Sequence, residues 1–278
     1  MLMKNSRTKS LLMLISSMLI FGTIGVFRRF IPLPSATLAC VRGLIGGLFL
    51  VLVVLIKKRS LRFTFSARQV LLFALTGVLL GLNWILLFES YNYTSVAVGT
   101  LCYYMEPTIV ILLSPFLFRE KLTPKKLICA AVSLVGIALV SGIADVSSVG
   151  QRDVKGIVLG LGAAVLYSAV VIMNKKNPSD DAYGKTIIEL FSAAVVLLPY
   201  VIVSGGIVGV EVGTTALIMT AVVAVVHTGV AYALYFGSMA SLPSQTVAVM
   251  SYIDPVFAVI LSATLLKEKI TLKKMIGA

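Results

Sequence analysis

Two acid–proline pairs stand inside long apolar runs, Glu106-Pro107 and Asp254-Pro255. Each acid lies near the middle of a stretch long enough to cross a bilayer, Glu106 in 96–118 and Asp254 in 245–266. An ionised carboxylate at that depth costs about 2.5–3.5 kcal/mol on insertion scales, so such groups are expected to face a cavity or a partner. The proline after each acid lacks an N–H and disrupts the bond to the carbonyl four residues back, that of Tyr103 for Pro107 and of Ser251 for Pro255. Each place therefore offers a carboxylate, a freed carbonyl and an aromatic, Tyr104 or Tyr252. Two chemistries fit: binding of a substrate amine, or carriage of a coupling proton by a carboxyl held in low dielectric. The same pattern is also the first-turn signature of a helix that restarts, and both readings can hold together.

Other residues of chemical interest are few. His227 is the single histidine. It could relay protons or sense pH, but a packed neutral imidazole bonded to a backbone carbonyl is the favoured reading. Arg42 lies about 12 Å of helix rise inside its run. Snorkelling to the outer surface is the favoured reading, and pairing with Glu189 or Glu106 is the alternative. Trp84 and Tyr232, with Asn83 and Tyr235 beside them, could wall an amphipathic ligand or simply pack. No metal centre is expected, because one histidine without nearby ligands cannot hold zinc. Cys40, Cys102 and Cys129 follow no CxxC spacing and read as small core hydrophobes. No GxxxxGK[ST] loop is present, so ATP hydrolysis by this chain is not expected, and no cofactor is implied.

The elements that must position these side chains follow from composition. Of 278 residues, 59% are apolar and 13% charged, with a mean hydropathy of +1.03. A soluble domain carries about a quarter charged residues. These values exclude a water-soluble globule, a disordered chain and a basic nucleic-acid binder, despite the net charge of +13. Nine apolar runs can span the bilayer core as helices: 10–27, 35–56, 70–88, 96–118, 126–143, 156–174, 186–204, 216–236 and 245–266. A tenth begins near Leu272. The first resembles a signal peptide, but Phe27-Arg28-Arg29 follows it in place of a cleavage site, so it is read as a retained helix. Glycines at 43, 46 and 47, and at 156, 160 and 162, suit close helix approach.

The chain repeats itself at an offset of 148 residues. Phe88–Ala130 set against Phe236–Ala278 gives 14 identities in 43 positions without a gap. Arg119-Glu-Lys-Leu-Thr falls on Lys267-Glu-Lys-Ile-Thr, and Tyr104, Glu106 and Pro107 fall on Tyr252, Asp254 and Pro255. The expected organisation is two repeats, 8–147 and 153–278, of five helices each. An odd number of spans inverts the second copy, which gives an all-α membrane protein of two inverted five-helix repeats, with a site at their interface near the midplane.

Loop charge sets orientation. In the first half Lys and Arg divide 12 to 2 in favour of a cytoplasmic N-terminus. The cluster at 267–274 opposes that assignment, because the same topology places it outside. The helix-5 copy should run to about residue 290, so the chain is expected to be a fragment whose gene continues with an apolar run.

Ser251-Tyr-Ile-Asp-Pro through Lys267-Glu-Lys-Ile-Thr, its copy Tyr104-Met-Glu-Pro through Arg119-Glu-Lys-Leu-Thr, and Gly81-Leu-Asn-Trp through Tyr93-Thr-Ser together resemble EamA-type proteins of the drug/metabolite transporter superfamily. The resemblance spans nearly the whole chain and implies ten helices in two repeats. It implies alternating-access movement of a small metabolite across the cell membrane, and does not imply which one. The function expected is secondary active transport, in the outward direction, of a small amphipathic metabolite such as an amino acid, driven by a coupling proton or by exchange. A passive channel or facilitator of the same fold is the alternative, and an enzyme is not expected.

Overall fold

The computed structural model describes residues 2–58, 64–94, 96–141, 151–206 and 211–265. The tenth span, the 267–274 cluster and the last residue of the ninth span lie outside these. Among the described residues every regular element is helical. In chain order they are α1 (Leu2–Arg28), α2 (Ser35–Lys58), α3 (Ala67–Tyr93), α4 (Val96–Tyr103), α5 (Glu106–Phe118), α6 (Pro124–Ser141) and α7 (Gln151–Lys176). Then come α8 (Ala182–Val203), α9 (Thr214–Val222), a π segment (Val223–Val230), α10 (Ala231–Ser238), α11 (Ser244–Met250) and α12 (Ile253–Thr264). Seven helical stretches among the described residues are long and apolar enough to cross a membrane. The two other expected spans are seen as α6 and as the pair α11–α12.

Both acid–proline pairs interrupt their spans. α4 ends at Tyr103, two residues turn, and α5 starts at Glu106 with Pro107 in its first turn. α11 ends at Met250, Ser251 and Tyr252 turn, and α12 carries Asp254 in its first turn. The residues before the restarts, Met105 (φ −68°, ψ −16°) and Tyr252 (φ −70°, ψ −9°), adopt the same backbone. The turns are tightened by bonds spanning three residues, Met105 N to Cys102 O and Tyr252 N to Val249 O. One expectation needs correcting. The Ser251 carbonyl is not left free, because the Asp254 N–H donates to it at 3.4 Å.

In lipid, helices gain little from apolar burial, so close packing and polar contacts must hold them. α3 packs on α7 and α8, and α2 packs on α8 and the π segment. Leu80, Trp84, Leu190 and Tyr235 lie in the shared core. Gly46 is where α2 meets the π segment: a side chain there would come within 2.8 Å of the Ala224 carbonyl and 3.0 Å of the Gly229 nitrogen. The π segment itself interrupts what the sequence reads as one regular span, and the Thr228 hydroxyl bonds back five residues to the Val223 carbonyl. Large apolar side chains such as Leu52, Ile56, Phe116 and Val195 point outward, as lipid requires.

One contact joins the halves at a helix end. The Glu120 carboxylate accepts from the backbone N–H groups of Ser244 (2.7 Å) and Gln245 (3.2 Å), and from the Ser244 hydroxyl. It thereby caps α11 from a distant part of the chain, satisfying N–H groups that a helix start leaves unpaired.

Candidate functional site

The two interrupted spans bring their acids to one internal cavity of about 240 Å³. Glu106 and Asp254 line it, with Arg42 from α2, Trp84 from α3, Tyr103 and Tyr104 from the α4 break, Tyr167 from α7, and Tyr232 and Tyr235 from α10. Phe21 of α1 closes one side. The helix restarts position the acids, since a first-turn carboxylate sits in the favourable field of its helix N-terminus.

Glu106 is only 4% exposed. Its backbone carbonyl accepts the Ser168 hydroxyl at 3.2 Å, while its Oε1 has no hydrogen-bond partner among the described residues. The Arg42 guanidinium stacks over Trp84, 4.7 Å from the ring centre, and its Nε is likewise unpartnered. Trp84 meets Tyr232 edge-on at 6.2 Å, Tyr232 meets Phe21 at 5.1 Å, and Tyr103 tilts over Tyr167 at 5.6 Å. The cavity thus presents one fixed cation, two carboxyl groups and a nearly continuous aromatic wall.

Of the residues singled out from sequence, the structure gathers Glu106, Asp254, Tyr104, Trp84, Tyr232, Tyr235 and Arg42, with Pro107, around this space. Tyr252 does not line it; its hydroxyl lies 3.1 Å from that of Thr108 and ties the α11–α12 turn to α5. Asn83 donates to the Ala163 carbonyl at 2.6 Å and joins α3 to α7. His227 lies in the π segment, its Nε2 2.7 Å from the Thr23 hydroxyl, with Phe27 edge-on.

The Arg42–Glu189 pair is not formed. Both Glu189 carboxylate oxygens lack hydrogen-bond partners among the described residues, and the nearby charge is Lys185, one turn earlier on α8. Lys185 in turn donates to the Asn174 and Asn177 carbonyls at 3.1 and 3.0 Å, where α7 ends.

Sequence reasoning missed Tyr103, Tyr167 and Phe21. Tyr103 adjoins Tyr104 at the break and could have been found from that position. Tyr167 and Phe21 sit in unbroken helices with no local signal.

Seven helical stretches apolar and long enough to cross a membrane among the described residues, packed around a cavity lined by aromatics, two carboxyl groups and one guanidinium, define a multi-pass membrane protein. The chain belongs to the EamA-like transporter family, whose pattern it matches twice, over residues 8–142 and 154–278. A Bacillus subtilis protein named as the uncharacterized transporter YxxF is 30% identical over 92% of this chain and 81% of its own. Another from the same organism, the uncharacterized transporter YvbV, is 24% identical over 88% of this chain and 79% of its own. A crystal structure of another protein superposes with a TM-score of 0.83, covering 97% of this chain and 92% of that one. At 18% identity that likeness carries the fold alone.

Proposed function

We propose that the protein is a secondary transporter that moves a small zwitterion, such as an amino acid, out of the cell. In this reading two inverted five-helix repeats, 8–147 and 153–278, rock about the cavity and expose it alternately to each side. The N-terminus lies in the cytoplasm, in keeping with the basic residues of the first half. The carrying observation is the make-up of the cavity, which Arg42, Glu106 and Asp254 line together with a set of aromatic rings. Arg42 is suited to a carboxylate, which its planar fork can grip. A carboxylate in the same cavity is suited to an ammonium, and the rings to an apolar side chain. Glu106, with its unpartnered oxygen, is the group assigned to exchange a proton or an amine during the cycle.

Proteoliposome flux of a labelled amino-acid panel, with and without an imposed pH gradient, tests this. A gradient should drive accumulation of a zwitterion, and Glu106→Gln should abolish that accumulation while the protein still inserts. Flux that only equilibrates, unaffected by the gradient and by Glu106→Gln, would establish a facilitator instead.

A further inference from the structure

A second cavity, of about 560 Å³, shares no lining residue with the first. Its walls are apolar: Met13 of α1, Phe49 and Val53 of α2, and Leu234 of α10. Its rim is cationic. Lys9 stands near the start of α1 and Lys57 near the end of α2, and both line the opening with Tyr183 from the start of α8. The Lys57 ammonium lies 5.2 Å over the Tyr183 ring and 3.4 Å from its hydroxyl. No acidic side chain lines the space among the described residues. Phe49 is about 12 Å of helix rise below Lys57, so the slot runs from a helix end well into one leaflet. Leu12 and Leu52, next in sequence to the lining residues Met13 and Val53, are exposed.

We propose that this groove binds an anionic phospholipid, its phosphate held between Lys9 and Lys57 and one acyl chain lying in the slot. A basic rim over an apolar crevice at a helix end matches such an amphiphile in both parts. The lysine stems extend to the interface while their heads stay in the headgroup layer, where each basic group adds attraction to anionic lipid. A free phosphate would leave the slot empty, and a neutral lipid would leave the two ammonium groups unmatched. The α10 residues on the groove wall, Ala233 and Leu234, lie between Tyr232 and Tyr235 of the central cavity. A chain seated here therefore presses on the back of the aromatic wall.

Native mass spectrometry of the detergent-solubilised full chain provides the test, and it needs no transport activity. Phosphatidylglycerol and phosphatidylcholine of identical acyl chains are titrated separately, and inorganic phosphate is added as a competitor. Phosphatidylglycerol should bind more tightly, and the Lys9→Gln/Lys57→Gln pair should weaken it by about tenfold or more while leaving phosphatidylcholine unchanged. Lys9→Arg/Lys57→Arg should retain binding, and Val53→Trp, which fills the slot, should reduce it. Equal binding of the two lipids would overturn the proposal. So would an unchanged affinity in the glutamine pair, or displacement by millimolar phosphate, which would show a simple anion site.

Discussion

Buried charge in this protein is handled in two different ways. In the cavity, Arg42 and Glu106 keep unpartnered atoms, a costly state that a ligand can relieve. On the proposed reading, Arg42→Gln should weaken flux of a free amino acid by about 10–100-fold, the range of a lost charge-assisted bond. It should leave the corresponding methyl ester nearly unaffected. Competition assays with the two compounds measure the difference, and equal losses would remove Arg42 from carboxylate recognition. Between α7 and α8 the charge is structural. Lys185 is 2% exposed, satisfies two carbonyls at the α7 end, and neighbours the fully buried Glu189. Lys185→Ala strands both carbonyls and leaves Glu189 without its neighbouring cation. A loss of about 1–3 kcal/mol is expected from leaving such buried acceptors unsatisfied. The Lys185→Ala/Glu189→Ala double variant should lose less than the sum of the single changes. Thermal unfolding in detergent reads both.

At the scale of elements, the breaks at Glu106-Pro107 and Asp254-Pro255 were legible because proline removes a definite hydrogen bond. Proline alone was not sufficient. Pro115 and Pro199 lie inside α5 and α8 without ending them, so the acid before the proline and the repeat offset carried the inference. Arg42, Trp84 and Tyr232 could be named as candidates by type and depth, but neither depth nor type says what a side chain meets. The Arg42–Glu189 pairing that the repeat offered as one alternative is not formed, and the cation neighbouring Glu189 sits on its own helix. The π segment had no local signature, because its neighbour across the interface is Gly46 of α2, far away in sequence. That contact makes a definite prediction. Gly46→Leu drives a side chain into the Ala224 carbonyl and Gly229, and overpacking of this kind costs about 1–3 kcal/mol. The melting temperature in detergent should fall, and Gly25→Leu, where nothing lies within 4 Å of an added Cβ, should leave it nearly unchanged.

For the whole molecule the decisive property is how the two halves sit in the bilayer, because a cavity reached from alternate sides follows directly from inversion. The repeat offset supplies matched markers. Ser66 precedes α3 as the N-cap and Thr214 starts α9, 148 positions later, and both are exposed. Equivalent positions in parallel copies would open to the same side of the membrane; in inverted copies they open to opposite sides. With Cys40, Cys102 and Cys129 replaced, Ser66→Cys and Thr214→Cys each carry a single thiol. In intact cells a membrane-impermeant maleimide should label Thr214→Cys at once and Ser66→Cys only after the membrane is opened. Labelling of both from outside, or of neither, would remove inversion and with it the geometric basis for alternating access. The reverse pattern would keep the inversion but turn the molecule over, placing Lys9 and Lys57 in the outer leaflet.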